Sequence, residues 1–427
     1  MSSVKPLVRA TYSGYHAPND FQPDDFLTRV GRGTPCGEYL RRFWQPVAFV
    51  QELTEVPLRV RILGEDLVMF RDLGGRIGLL NMHCSHRGAS LEFGVISERG
   101  IRCFYHGWHY DIDGTVLDTP AGKPLDAAGK ICHGAYPVHV FNDLIFTYMG
   151  PPDRKPPFPL YDFYNNPNLK IVPAIDRTHV VECNWLQIVE NGIDPAHTAF
   201  LHVIVSGRQP NFSDEMGILP LMRFRTNDVG VYYVASRRVG DNVWVRIVET
   251  LMPNVAQLAV DNQKATRENV SQLPFLSVWA VPIDDYNTKR ISLLFDDVRQ
   301  PLSAEQKRRA FGQIADRPYI ERQRKPGDYD AQVSQGPINI HDYENLATSD
   351  QGIVLYREML KQGIHDVQAG RDPVGVFRDQ NKVIRTRSQN TVLRAPAAAS
   401  PEQDQAMIEK IGNEVAEADY RNQFPPV

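Results

Sequence analysis

Two stretches of this 427-residue chain gather side chains of the kind that hold metals. In "HCSHRGASLEFG", residues 83–94, Cys84 is followed by His86, and after sixteen intervening residues "CFYHGWHYDIDG" adds Cys103 and His106. Two thiolates and two imidazoles at the tips of two turns suit one tetrahedral zinc. They suit equally an iron–sulfur cluster in which cysteines hold one iron and histidines the other. Spacing alone does not choose. Gly88, Gly94 and Gly107, with the aromatic Tyr105 and Trp108, favour the cluster, because they let backbone approach and shield bridging sulfides that a bare zinc ion lacks. Neutral imidazoles in place of two thiolates also raise the potential of such a cluster.

The second stretch, "ENGIDPAHTAFLH", places Asp194, His197 and His202 within nine residues. His197 and His202 lie a little over one helical turn apart, and on a helix distorted by Pro195 both can face one point. Two histidines and one carboxylate from elsewhere make a facial triad, which leaves three positions open on Fe(II) for oxygen and substrate. His83 and His109 fit neither pattern and read as surface or core residues. Cys36, Cys132 and Cys183 read as small buried apolar residues.

The elements that must position these groups fall into two parts. From "EYLRRFWQPV" to "YMGPP" short β-rich runs are punctuated by Gly and Asp turns, which gives a β domain. "GPPDRKPPFPLYDFYNNPN", residues 150–168, is too rich in proline for a regular element and reads as a linker. Beyond it, "HVVECNWLQIVENGIDPAHTAFLHVI" is helical in its middle. Strands follow in "GVYYVASRRV", "NVWVRIVETLM" and the hairpin "FLSVWAVPIDDYNTKRISLLFDDV", then helices in "SAEQKRRAFGQIADR", "SDQGIVLYREMLKQGI" and a final amphipathic segment. The whole is a β domain followed by an α+β domain.

Composition excludes several classes. With 42% hydrophobic and 23% charged residues and a net charge of -4, the chain reads as an ordinary globular protein. No basic run interleaved with aromatics favours nucleic acid, and no apolar run approaches a membrane span. The N-terminal residues lack the apolar core of a signal peptide, so a cytoplasmic location is expected. "GRGTPCG", residues 31–37, has the wrong spacing for a dinucleotide fingerprint and reads as a loop. Electrons must then come from a separate NAD(P)H-dependent reductase, a ferredoxin, or both.

"CSHRGASLEFG…CFYHGWHYDIDG" resembles the Rieske [2Fe-2S] fingerprint, C-x-H followed by C-x-x-H. D-x-x-H-x4-H after such a domain resembles the signature of the Rieske non-haem iron oxygenases. "GTPCGEYLRRFWQPV", "WAVPIDDYNTKRISLLF" and "GPI…SDQGI" are similar to the homotrimeric, phthalate-dioxygenase-like branch, which also holds phenoxybenzoate and chlorobenzoate oxygenases and aryl O-demethylases. The likeness covers about residues 30 to 370. One departure is Asn142-Asp143, where a glycine pair is frequent.

The resemblance implies an all-β Rieske domain (31–155) and an α+β, helix-grip-like catalytic domain with an antiparallel sheet (156–395); the polar, Pro/Gly-bearing start reads as an N-terminal arm (1–30) and the amphipathic end as a helical tail (396–427). It implies that Cys84 and Cys103 bind one iron of a [2Fe-2S] cluster and His86 and His106 the other, and that His197 and His202 bind a mononuclear Fe(II). Asp194 would link a histidine of the mononuclear site to a cluster histidine of a neighbouring subunit in a trimer or a multiple of trimers. Asn191 matches an asparagine often found close to the iron. For the third ligand, Asp328, Asp330, Asp342, Glu344 and Asp350 are candidates. Asp350 is better explained as a helix N-cap, and the family's D-x-x-x-Q frame selects Asp328, with Asp330 in reserve. Alternation along "NVWVRIVET" puts Trp244, Arg246 and Val248 on one face, a pairing suited to an aromatic carboxylate, and Arg208 is a second possible clamp. The expected protein is the terminal oxygenase of a multicomponent system that uses O2 on an aromatic acid. O-demethylation of a methoxylated, lignin-derived substrate is favoured over ring dihydroxylation, and an electron-transfer protein with a binding module is the reading from another class.

Overall fold

The computed structural model describes residues 20–120, 131–174, 178–209, 212–259, 267–271, 274–298 and 317–418, with residues 11, 12, 14–16, 122, 265 and 303 besides. The expected helix in "SAEQKRRAFGQIADR" lies outside the described residues apart from its margins.

The first half is built from three small antiparallel sheets. Strand Trp44–Phe49 pairs with Leu144–Tyr148 and that with Val138–Phe141; Leu58–Ile62, Glu65–Arg71 and Ile77–Asn81 form a second sheet; four short strands between Val95 and Asp118 form a third. The turn that closes the first sheet carries Asn142 and Asp143 at φ 45° and 61°. Asparagine and aspartate tolerate this left-handed region better than other side chains, so they do there what a glycine pair would do.

The second half is organised on one large antiparallel sheet. Its main path runs Leu169–Pro173, Thr288–Asp297, Pro274–Pro282, Val255–Ala259, Asn242–Leu251, Gly230–Val239, Leu221–Thr226. Along Asn242–Leu251 the side chains alternate between faces. Val243, Val245 and Ile247 pack with Ile408, Val415 and Ala416 of the outer helix Pro401–Glu417. The opposite face, with Trp244, Arg246 and Val248, is the inner one. The helix Trp185–Ile193 lies against it, capped at its start by Asn184 Oδ1, which accepts from Leu186 N at 3.2 Å. A Cβ on Gly192 would stand 3.4 Å from the Cβ of Ala256, which fixes the face the helix covers. The helix Gln351–Gln368 closes on the same helix at Gly352, where a Cβ would meet Phe224 at 2.5 Å and Ile193 at 2.7 Å.

One hydrophobic core joins the two halves: Val47, Leu79 and Leu144 pack in the same cluster as Trp185, Trp279, Ile291 and Tyr356. Several local expectations need correction. Residues 31–37 are not all loop, because Thr34 caps a helix Pro35–Leu40 with Pro35 in its first turn, where a missing N–H costs nothing. The end of the expected arm is seated, with Leu27 and Val30 fully buried. The proline-rich linker is also packed: Tyr161, Phe163 and Tyr164 are buried, and Leu160–Tyr161 pairs in parallel with Val383–Ile384. Its prolines prevent a long element but not burial. Cys36 and Cys183 are buried, whereas Cys132 is exposed. Among the described residues no helix is long and apolar enough to cross a membrane.

Candidate metal centres

The Cys/His quartet is carried by two turns built alike. In the first, Gly88 N donates to Cys84 O at 2.8 Å and Cys84 N to Ala89 O at 2.9 Å; in the second, Gly107 N donates to Cys103 O at 3.0 Å and Cys103 N to Trp108 O at 2.7 Å. Both glycines have φ +75°, a conformation that disfavours any side chain. Each turn thus offers a cysteine followed four residues later by a left-handed glycine, an internal similarity the chemistry-bearing residues alone do not reveal.

The ligand types are sorted by depth. Cys84 and Cys103 are buried at 3% and 2% exposure and lie close enough for their thiols to interact, while His86 and His106 are half-buried, their ring centroids 4.6 Å apart. Tyr110 Oη sits 3.0 Å from Cys84 Sγ, and Ser85 Oγ is 2.7 Å from His133 Nδ1. His86 stacks on Trp108 at 5.0 Å, and its Nδ1 is buried with no hydrogen-bond partner, a nitrogen whose lone pair a bound metal ion would engage. Two thiolates inside and two imidazoles at the rim match a two-iron cluster with a different ligand pair on each iron.

The second constellation is assembled from distant segments. The helix Trp185–Ile193 ends at Asp194; a short helix Ala196–Ala199 and a π-helical turn Phe200–Ile204 follow. In a regular α-helix five residues leave His197 and His202 about 140° apart around the axis. The widened turn, with Val205 N donating to Phe200 O at 2.8 Å, reduces that angle, and the rings come within 5.2 Å. Asp328 opens the helix Asp328–Ser334 and enters between them: its Oδ1 is 3.5 Å from His197 Nε2 and 3.2 Å from His202 Nε2. Cis ligands around one octahedral ion stand about 3 Å apart. Among the described residues these three form the group whose ligand atoms all lie within 4.8 Å of one another.

Outer contacts aim the ring nitrogens. His197 Nδ1 donates to the backbone carbonyl of Asp194 at 2.5 Å and His202 Nδ1 to Gln209 Oε1 at 3.0 Å, which leaves each Nε2 facing Asp328. Phe212 stacks on His202 at 3.9 Å. Asn191 Nδ2 donates to Asp328 Oδ1 at 3.2 Å. Burial by itself raises the Asp328 carboxyl, but His202 and His197 outweigh it and hold it well below the usual carboxylate range. Burial likewise lowers His197, and Asp328 beside it reverses the direction.

The other sequence candidates are placed differently. The Asp194 carboxylate accepts from Ala196 N at 2.7 Å and His197 N at 3.3 Å, capping the helix restart, while its carbonyl holds the His197 ring. Asp330 is engaged by Arg322 at 2.5 Å, Arg317 at 3.0 Å and Gly327 N at 2.9 Å, and so turns away from the histidines. Asp350 precedes the helix Gln351–Gln368 and accepts from Ala347 N. Arg208 stands on a surface loop, paired with Asp214 at 3.2 Å. Trp244 is fully enclosed on the inner face, bonded through Nε1 to Asn390 and packed in one cluster with Phe212. Arg246 is half-buried there, its Nη1 3.3 Å from Tyr233 Oη. Gln209, Phe212 and Tyr110 had no motif to announce them; only contact in three dimensions does.

The sequence matches the family model described as the Rieske [2Fe-2S] domain over residues 43–134, and that described as LigXa C-terminal domain like over residues 147–211. Among curated relatives, the chain is 40% identical over 450 residues to the tert-butanol monooxygenase / tert-amyl alcohol desaturase oxygenase subunit of Aquincola tertiaricarbonis, covering 97% of this chain and 94% of that protein. It is 39% identical over 415 residues to the phenoxybenzoate dioxygenase subunit alpha of Ectopseudomonas oleovorans, covering 91% and 97%. Among solved structures, NdmB of Pseudomonas putida CBB5 shares the fold with a TM-score of 0.61 at 21% identity, covering 83% of this chain and 97% of that one. With a Rieske β domain leading into a sheet-and-helix domain and near full-length identity to oxygenase subunits, the chain belongs to the Rieske oxygenases, iron-dependent oxidoreductases that carry a [2Fe-2S] cluster and a mononuclear iron.

Proposed function

We propose that the chain is the terminal oxygenase of a multicomponent system that oxidises an aromatic acid with O2, taking electrons from a separate reductase or ferredoxin. The observation that carries this reading is the convergence of His197, His202 and Asp328 within 4.8 Å, separate from the Cys/His quartet. Cys84 and Cys103 would hold the inner iron, His86 and His106 the outer one. When bound, the cluster supplies single electrons and the ferrous ion activates oxygen. The chain's own residues set the stage: Asp194 and Gln209 fix the ring tautomers, and Asn191 orients Asp328.

Electrons would pass from His86 or His106 of one subunit to His197 of the next by way of Asp194. Two exposed apolar rims support such a contact. Phe93, Phe104 and Tyr105 surround the imidazole end of the first site at 65%, 55% and 54% exposure, and Phe200, Ile204 and Val205 flank the second at 47%, 54% and 66%. A trimer would cover both. O-demethylation of a methoxylated aryl acid is favoured, with ring dihydroxylation as the other aromatic outcome. A small neutral alcohol is the second reading, favoured by the 40% identity to the tert-butanol enzyme.

The test supplies purified protein with a reductase, NADH and a panel of aryl acids and tertiary alcohols, and follows oxygen uptake, formaldehyde and phenol or diol products. About three irons per chain, two of them with sulfide, accompany this reading. About two irons and no oxygen uptake would leave an electron carrier instead. Asp194→Asn is expected to keep both metals and slow turnover; parental speed would remove Asp194 from the electron route.

A further inference from the structure

Arg237, Arg246 and Arg290 stand on the inner face of the sheet, and their surroundings differ. Arg237 is enclosed: its Nε donates to Ile218 O at 2.8 Å, and its guanidinium lies 5.1 Å over the Trp244 ring. Arg246 reaches Tyr233 Oη at 3.3 Å. The Arg290 side chain makes no hydrogen bond or ion pair among the described residues, and its Nε is buried without a partner.

Register locates Arg290. Ala256 opposes Val278, Val278 opposes Ser292, and Ala280 opposes Arg290, so Arg290 shares the face on which Ala256 meets Gly192 of the Trp185–Ile193 helix. Its flanking positions on that face are Ala280 on one side and His179 on the other. The carboxylate of Asp328, in the triad, favours its charge, as does Cys183 just ahead of that helix. Burial disfavours its charge, yet a guanidinium stays ionised at any physiological pH.

A half-buried guanidinium whose Nε lacks an acceptor is stabilised when an anion arrives to pair with it. We infer that Arg290 is the specificity-determining residue that grips the carboxylate of the substrate, holding the rest of the molecule toward His197, His202 and Asp328. The planar fork of the guanidinium suits a bidentate carboxylate. This rests on the triad being the oxidation site and goes beyond it by naming the group that selects acids over neutral alcohols.

The test uses the holoenzyme and matched pairs of aryl carboxylates and their carboxamides, in wild type, Arg290→Gln and Arg290→Lys, with iron content and cluster absorbance checked in each. Wild type is expected to prefer the acid. Arg290→Gln should lose about 10–100-fold in kcat/KM on the acid, mainly through KM, with the amide unaffected, and Arg290→Lys should recover part of the loss. Equal losses on acid and amide, or no loss on the acid, would overturn the assignment, and Arg290→Lys carries the same test if the glutamine variant fails to fold. Calorimetric titration with the aryl acids separates this from the oxygenase reading. Acid binding that Arg290→Gln abolishes, in a wild type that turns over no acid, would uphold Arg290 while sinking the acid-oxidising function. A wild type that neither binds nor oxidises the acids would sink Arg290.

Discussion

The two metal sites of this chain solve the same problem by opposite routes. The Cys/His quartet spans residues 84–106 and hangs on two turns whose backbone bonds repeat at the same offsets, each closed by a left-handed glycine. The triad draws on residues 197, 202 and 328, and exists only because a π-helical turn swings two rings together and a separate helix start delivers a carboxylate. The first site is made by local backbone geometry; the second is made by packing. A locally built site tolerates change elsewhere and fails at its own turns, whereas a packed site depends on which of several nearby carboxylates the fold delivers.

The largest expected effect tests that choice. Asp328→Ala should reduce turnover to background and remove the mononuclear iron while the cluster spectrum remains. Asp330→Ala should keep the iron and cost about 2 kcal/mol of stability, because it removes a helix cap and two arginine pairs. Iron analysis and thermal melts of the two variants read both outcomes; loss of iron in Asp330→Ala instead would reverse the assignment.

A pH effect follows from one buried carboxyl of the catalytic half. Burial lifts the Glu249 carboxyl to about 8, against the bonds from Arg387 N and Asn227 that favour its ion. The folded protein therefore keeps a proton there that the unfolded chain releases near its ordinary value of about 4.3. The associated stability is full below that value and is lost as pH rises toward 8, by at most about 1.4 kcal/mol per unit. Denaturant melts between pH 5 and 8 should show the decline, and Glu249→Gln should flatten it.

The two glycine turns allow a finer comparison. Gly88→Ala meets nothing within 4 Å and should cost only the left-handed backbone, about 1–2 kcal/mol. In Gly107→Ala the new Cβ would also press on Pro120 at 2.8 Å, so its loss of melting temperature and of cluster absorbance should be the greater. The smallest change is Tyr110→Phe, which removes the hydroxyl 3.0 Å from Cys84 Sγ. It should leave iron content and stability near wild type and lower the cluster's midpoint potential, since hydrogen bonds to sulfur favour the reduced state. An unchanged potential in protein-film voltammetry would show that the hydroxyl does not donate to that sulfur.

Legibility followed the same divide. Cys84, His86, Cys103 and His106 could be read directly because their ligand types and the glycines that shape their turns are neighbours in sequence. His197 and His202 were visible as a pair, but at five residues apart a regular helix would have separated them. Asp328 was separable from Asp330 only through a resemblance; the arginines that occupy Asp330 come from an earlier segment. Arg208 looked like a clamp because it follows His202 closely, yet the loop turns it to Asp214 at the surface. Arg290, in contrast, sat unremarked in a hairpin strand, because nothing in its neighbours along the chain says that its cross-strand partners leave it without an acceptor.

What the amino-acid order determined by itself was the chemistry on offer: two turns shaped for a cluster, a histidine pair, a strand that sets Trp244 and Arg246 on one face. Those follow from short-range dihedral preferences and side-chain periodicity, which need no knowledge of distant partners. Only the folded chain decided which carboxylate completes the triad, which groups orient the imidazoles and that the Nε of Arg290 is left without an acceptor. Burial and hydrogen-bond satisfaction depend on residues far apart in sequence brought together in space.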